Sequence, residues 1–447
     1  MLEKLRAEGP VVVVDAGDLF WKSARPPGPD LPQIQEKARL IAEAYQIGGI
    51  DAISPSAADL SLGLDFLGTL RDTWKLPYVS TNLRCDDKAP WDTVRTVNVA
   101  GIEVGIYGLV GDEADQGTCV HSDAAASLTA ALAAHRPDLV VVLSDLSEVE
   151  NQQLAQAVPG IDLLVDTNRQ QRANPPSING GGLLLAAGSR GKSVGTLAFT
   201  LRSGATRWED DGSRARLASQ KDRYAERLAQ EKAKLAQATD ADRARIERQV
   251  GFLETQVKKV ESELAAATGA SPGPAHAAKN SFVDLGTDVA DHAQTLALVE
   301  GAKAKIAAAN PVATDATYRM GPFAGSATCK GCHPAAYEQW LTTPHAVAIE
   351  SLKGRKSDQD PACYACHVTG AHHPDGPRTA AEVAPILLNV GCESCHGAGR
   401  EHAQNPATVP MEANPGPAVC MTCHDGERDE GRFDFETYRP KIVHGKP

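Results

Sequence analysis

Unbroken apolar runs mark the first 205 residues: "VVVVDAG", "GIDAIS", "LPYVSTN", "GIEVGIYGLVG", "DLVVVLSDL", "GIDLLVDT", "GGLLLAAGS" and "VGTLAFTL" alternate with helix-period segments. Runs of Val, Ile and Leu without polar alternation predict strands covered on both faces, hence an α/β layered sheet. From about 213 to 268 the pattern changes. Ile246, Val250, Leu253, Val257, Val260 and Leu264 form a heptad seam, and an earlier arm carries Leu217, Tyr224, Leu228 and Leu235. Between the arms, "ATDADRA" offers Thr239 or Asp240 as an N-cap. These signals predict an antiparallel helical coiled-coil hairpin, either a self-association arm or a solvated spacer. "GASPGPAH" (269–276) reads as a linker and Asp288 to Asn310 as one more amphipathic helix. Beyond about 321 periodicity gives way to Gly, Pro, Cys and His. The expected parts are therefore 1–205, 213–268, 269–320 (linker and helix) and 321–447.

Composition sharpens this division. The net charge of -12 argues against nucleic acid or anionic lipid as partners, because no basic surface is concentrated enough to release counterions. No run of 18 apolar residues is present, so no membrane span is expected. Met1 leads almost at once into a core strand, so a leading strand and an export signal are expected upstream of it. Cys85 and Cys119 sit alone in the first half, either paired in a disulfide or buried as small hydrophobes. The other eight cysteines follow residue 328, as do nine of the thirteen histidines.

Those eight cysteines form four C-x-x-C-H motifs: Cys329 to Cys332-His333, Cys363 to Cys366-His367, Cys392 to Cys395-His396, and Cys420 to Cys423-His424. Two thiols three residues apart reach the two vinyl groups of one haem, and the next residue brings its imidazole under the iron. Zinc is the competing reading of C-x-x-C pairs, but four copies each followed by His favour four c-type haems. His345, His372, His373, His402 and His444 can supply sixth ligands to most of the irons. Two imidazoles saturate an iron for one-electron transfer, whereas one leaves a position open to a small ligand. Four porphyrins in roughly 125 residues would themselves be the core, which accounts for the scarcity of aromatics (5%). Covalent haem implies export, so a periplasmic or extracellular location and redox partner proteins are expected.

The stretches "CKGCHPAAYEQWLTTPHAVAIESL", "CYACHVTG" and "NVGCESCHGAGREH" resemble the tetrahaem cytochrome c-554 family, electron carriers of hydroxylamine oxidation. The resemblance implies that His345 is the distal ligand of the third haem, His402 of the first and His444 of the fourth. It leaves the iron of His367 five-coordinate, unless His372 or His373 closes it. The interval from His396 to His402 and the tail after His424 are shorter than in that family.

The order of segments in residues 1–205 resembles the metallophosphoesterase domain of secreted 5′-nucleotidases (calcineurin-like). That family holds two metals through Asp, Asn and His at strand ends. In "GIDAISPSAADLSLGLDFL" the segment Ser56-Ala57-Ala58-Asp59 stands where the family has Gly-Asn-His-Glu, so Ala57 replaces a metal-binding Asn and Ala58 the catalytic His. Asp18 matches the bridging Asp. Ser144-Asp145 stands for Ser-His, and Asp166 to Gln170, including Asn168, stands for Gly-Gly-His-x-His. The first Asp-x-His motif is expected before Met1. Asp145 and Asn168 could still hold one hard cation, and Gly188 to Lys192 offers an anion cradle or a plain turn. The sequence thus predicts a multihaem electron-transfer protein with an emptied phosphoesterase scaffold. The alternatives are a redox enzyme acting on a small nitrogen or sulfur compound at the haem of His367, and an active nucleotidase.

Overall fold

The computed structural model describes all residues other than 26–30, 170, 174–180, 190, 206–207, 211–212, 237–239, 269–274, 287, 311–316, 426–431 and 446–447. Arg190 of the anion-cradle segment lies outside the described residues. Two compact units follow one another, Met1–Asp291 and His292–Pro447. Among the described residues no helix is long and apolar enough to cross a membrane.

In chain order the first unit contains α1 (Leu2–Glu8), β1 (Val14–Asp15), α2 (Leu31–Gly48), β2 (Ala52–Ile53), α3 (Ala57–Leu60), α4 (Leu64–Trp74), β3 (Leu83–Cys85), β4 (Arg95–Val99), β5 (Ile102–Val110) and β6 (Cys119–His121). It continues with α5 (Ala124–Ala134), β7 (Leu139–Asp145), α6 (Glu148–Ala157), β8 (Leu163–Asp166), β9 (Leu183–Leu185), β10 (Ser193–Thr200), β11 (Trp208–Asp210), α7 (Ser213–Ala236), α8 (Asp240–Thr268) and β12 (His276–Asp284).

The central sheet has the order β4-β5-β7-β8-β9, antiparallel at β4–β5 and parallel thereafter. Its continuous apolar strands resolve into two faces by parity. Tyr107, Leu109, Val140, Val142 and Leu164 pack with Leu128 and Leu132 of α5 and Leu154 of α6. Ile106, Val141, Leu143 and Leu163 pack with Trp208 and Ala278 of the second sheet. That sheet has the order β10-β12-β11. The result is helices, sheet and sheet in layers, as unbroken Val/Ile/Leu runs require. Helix starts follow local chemistry: Asp123 caps α5, and Ser147 with Glu150 closes a capping box on α6.

Three differences from the sequence reading have physical causes. "LPYVSTN" forms single bridges at Tyr78 and Val79 rather than a strand. There the backbone packs closely on β5, since a Cβ at Gly108 would lie 2.4 Å from the Val79 carbonyl. Residues 276–284, read as part of a linker and helix, form β12 at the centre of the second sheet. Its sequence, "HAAKNSFVD", has small and polar residues where a strand pattern needs alternation. The segment after residue 205 accordingly stays with the first unit, which runs to Asp291 rather than ending near 205. Helices α7 and α8 occupy the arms of the expected hairpin, with Leu217, Ile246, Val250, Leu253 and Val260 buried and Lys232 paired with Glu254 at 2.7 Å.

Cys85 and Cys119, directly opposed in the antiparallel β3–β6 pair, are joined as a disulfide. Its 34-residue separation closes a loop whose cross-link constrains the unfolded chain by about 4 kcal/mol.

The second unit is mostly short helices and turns: α9 (Ala293–Ala309), α10 (Ser326–Cys329), α11 (Pro334–Leu341), α12 (Glu350–Lys353), α13 (Pro361–Tyr364), α14 (Cys392–His396), α15 (Arg400–Gln404), α16 (Pro417–Met421) and α17 (Phe435–Tyr438). Among the described residues its main buried cluster gathers eight apolar residues around Phe323, Tyr364, Val368 and Leu387. Val347 (56%), Met421 (59%) and Val443 (49%) stand exposed around the Cys/His segments.

Candidate functional site

Each C-x-x-C-H motif begins in a helical turn, α10, α13, α14 or α16, which puts both cysteines and the histidine on one short arc. In the first motif the Cys332 and His333 amides donate to the Cys329 carbonyl at 3.2 and 2.9 Å, and in the fourth Cys423 and His424 donate to Cys420 at 3.2 and 2.9 Å. None of the eight motif cysteines is joined in a disulfide.

The structure sets imidazoles opposite two of the motif histidines. The rings of His345 and His424 have centroids 6.3 Å apart, and those of His396 and His444 5.6 Å apart. Two imidazoles bound to one iron by bonds of about 2 Å leave their ring centroids roughly 6 Å apart. Both spacings therefore suit bis-imidazole ligation. The sequence expectation gave His345 to the third motif and His444 to the fourth; the ring beside His345 is His424 of the fourth motif, and the ring beside His444 is His396 of the third. His345 lies in the turn Pro344–Val347, whose backbone is tied to the third motif because the Val390 amide donates to the His345 carbonyl at 3.1 Å. The Trp340 indole N–H also reaches the Val390 carbonyl at 2.9 Å. The ring itself lies beside His424, on whose other neighbour, Phe433, the His424 ring stacks at 4.6 Å. Burial, and then the neighbouring His424, lowers the pKa of His345 and favours the neutral ligand form.

Metal-binding histidines fix their ring orientation by donating the second ring N–H to an acceptor. His367 Nδ1 donates to the Ala348 carbonyl at 2.7 Å, His396 Nδ1 to Glu412 at 2.6 Å and His402 Nδ1 to Val409 at 2.6 Å. A carbonyl can only accept, so each of these rings keeps its Nε2 for a ligand bond. His402 lies on α15, and the structure does not bring it into ring contact with His333.

Neither His372 nor His373 opposes His367. His372 Nε2 lies 4.0 Å from the Cys366 Sγ and 3.9 Å from the Cys423 Sγ. His373 Nδ1 accepts the Asp375 amide at 3.1 Å, and its ring packs edge-on against Phe323. The thiols of different motifs also meet. Cys329 hydrogen-bonds to Cys392, which pulls Cys392 below the ordinary thiol range, while burial pushes Cys395 up to about 11. These donors, the opposed rings and the uncovered apolar side chains together fit haem.

The second candidate site lies at the strand ends of the first unit. Asp18 accepts the Ser56 hydroxyl at 2.7 Å. Asp145 accepts the Ala57 amide at 2.7 Å and the Asn168 side-chain amide at 3.2 Å. Asp59 accepts amides of Phe20 at 2.7 Å and Ser56 at 3.1 Å and completes the capping box of α3, where Ala57 and Ala58 are buried. Gln170 lies outside the described residues. The structure thus gathers Asp18, Asp145 and Asn168, but protein donors occupy the carboxylates. Among the described residues, the ligand atoms that converge within 4.8 Å as a group belong to Cys366, His372 and Cys423, not to these aspartates. Burial pushes Asp59 and Asp145 each up to about 7 and raises Asp15 and Asp18. Sequence reading missed Asp15, which takes the Tyr45 hydroxyl at 2.7 Å, and the carbonyls that orient the histidines. A carbonyl has no residue signature, so sequence holds no signal for it.

Comparison with known proteins separates the two regions. The first unit's region is similar to the 5′-nucleotidase precursor from Thermus thermophilus (22% identity, 45% of this chain and 44% of that one, TM-score 0.38). It is also similar to a calcineurin-like phosphoesterase from Bacillus subtilis (19% identity, 45% and 76%, TM-score 0.37). The cytochrome c-554 of Nitrosomonas europaea is 38% identical over 86 residues, which are 16% of this chain and 36% of that protein. The chain therefore spans about a third of that relative's length. Over residues 328–397, which contain the first three C-x-x-C-H motifs, the chain matches the family described as cytochrome c554 and c-prime.

Proposed function

We propose that this chain is an exported c-type cytochrome that carries electrons through four covalently attached haems, with the first unit as a scaffold or docking module for redox partner proteins. The observation that carries the reading is the pairing of His345 with His424 and of His396 with His444 at bis-imidazole spacing, in a segment built from C-x-x-C-H turns. Bound haem supplies one-electron cycling between ferric and ferrous iron. The chain's own residues do the rest. Cys329, Cys332, Cys363, Cys366, Cys392, Cys395, Cys420 and Cys423 anchor the rings. His333, His367, His396 and His424 are the proximal ligands. His345 and His444 would supply sixth ligands at the fourth and third motifs, and His402 at the first. The Cys392 amide bond to Ser326 Oγ at 3.1 Å, and His372 beside Cys366 of the second motif and Cys423 of the fourth, would keep the attached groups close to one another. Helices α7 and α8 provide a face for self-association.

A second reading follows from His367. His402 keeps its Nε2 for the first motif, whereas His372 is turned toward Cys366 and Cys423 and His373 toward Asp375, so the iron of His367 would have room for a small nitrogen or sulfur compound. Carbon monoxide added to the reduced protein separates the readings. The expected result is a Soret shift in one haem of four. No shift removes the enzyme reading, and a shift in all four contradicts the paired histidines. Phosphate release from AMP with Mn²⁺ would overturn the scaffold role of the first unit.

A further inference from the structure

We propose that Glu393, inside the third C-x-x-C-H motif, is a positioning residue: a buried carboxylate that clamps the first and third motifs together and holds their irons at low potential. The inference rests on the cytochrome reading above. Glu393 is 3% exposed. Its Oε1 accepts the amides of Ala324 at 2.8 Å and Gly399 at 2.7 Å, and its Oε2 accepts the amide of Gly325 at 2.7 Å.

These donors come from both sides of the junction. Ala324 and Gly325 lead into α10, which ends at Cys329; Gly399 leads into α15, which carries His402. Three N–H donors facing two oxygens suit a carboxylate, which accepts only. A glutamine of the same shape would turn an NH₂ group toward an N–H and leave that donor unsatisfied. The approach is close enough to restrict the donors themselves, since a Cβ at Gly399 would lie 3.1 Å from Glu393 Oε1. Neighbouring bonds run across the same junction: the Cys392 amide to Ser326 Oγ at 3.1 Å, the Arg400 amide to the Pro322 carbonyl at 3.1 Å, and the Arg400 guanidinium to the Phe323 carbonyl at 3.0 Å.

A carboxylate so placed acts on potential as well as on position. Each iron takes one electron from a donor protein, ferric to ferrous, and returns it to an acceptor. The ferric form carries one more positive charge, so a fixed negative charge in a poorly solvated interior favours it and lowers the potential.

The test is spectroelectrochemical titration of the full-length holoprotein and of its E393Q and E393D variants, with covalent haem counted on the same samples. E393Q with four haems should show two midpoint potentials raised, while E393D, which keeps the charge, stays near wild type. Loss of haem from the first and third motifs in E393Q but not in E393D supports the clamp equally. Unchanged potentials in a four-haem E393Q overturn the proposal. Equal haem loss in both variants also overturns it, because packing rather than charge would then explain the burial. A wild-type protein without covalent haem removes the cytochrome reading and the proposal with it, and the wild-type sample alone reveals that.

Discussion

Replacing His345 with alanine should open the iron at the fourth motif, not the third. The His345 ring faces His424 at 6.3 Å, while His396 faces His444. The variant should bind carbon monoxide at one haem more than the parent and show one more high-spin ferric signal. Axial ligands set haem potentials over about 0.8 V, so the affected iron should also rise on the order of 0.1 V. A double-mutant cycle assigns the haem. With Cys420 and Cys423 both changed to serine the fourth haem is absent, and adding His345→Ala should then create no further carbon monoxide site. A new site in that background would return His345 to the third motif.

The first unit should become less stable as pH rises from 5 to 8, the reverse of the usual behaviour of salt-bridged carboxylates. Burial pushes both Asp59 and Asp145 up to about 7, against about 4 for an exposed aspartate. Between those limits the folded protein keeps protons that the unfolded chain has released. The stabilisation is therefore complete below about pH 4 and is lost as pH rises through about 7. A tenfold difference in proton affinity corresponds to about 1.4 kcal/mol, so the pair contributes on the order of several kcal/mol. Urea denaturation followed by far-UV circular dichroism should give a lower midpoint at pH 8 than at pH 5. Asp59→Asn should flatten the slope, because the amide has no proton to lose. A midpoint that holds or rises toward pH 8 would contradict the buried, proton-holding cluster.

The same cluster ties the loop after β2 to Asp18 and Asp145 through hydrogen bonds. Ser56 and Asp59 form the capping box of α3, so the loop that faces Asp18 and Asp145 closes a helix start with its own polar groups. Sequence alone showed the alanines at 57 and 58, but not which donors Asp18, Asp59 and Asp145 would meet. Capping depends on local hydrogen bonds, and Ser-x-x-Asp is legible once a helix start is expected there.

Legibility elsewhere followed the strength of each pattern. The parity of β5 and β7 put apolar residues on both faces, so the layered sheet could be read directly from their unbroken runs. The heptad positions placed α7 and α8. β12 escaped because "HAAKNSFVD" owes its place to the two strands beside it rather than to its own alternation. The C-x-x-C-H turns were visible because covalent chemistry fixes their spacing. The partners of His345 and His444 were not, since they join residues 79 and 48 positions apart through irregular segments with no period to follow. Glu393 stands at an x position of its motif, which carries no signal of the three backbone donors that it accepts.

The central claim is that the C-x-x-C-H turns of the second unit hold covalent haem. Pyridine haemochrome assay combined with intact mass of the denatured protein, produced in a host that attaches c-type haem, measures this directly. The account predicts four haems retained after denaturation, one per motif. A protein that keeps its eight thiols and loses its colour on denaturation, or that binds zinc in their place, would contradict it.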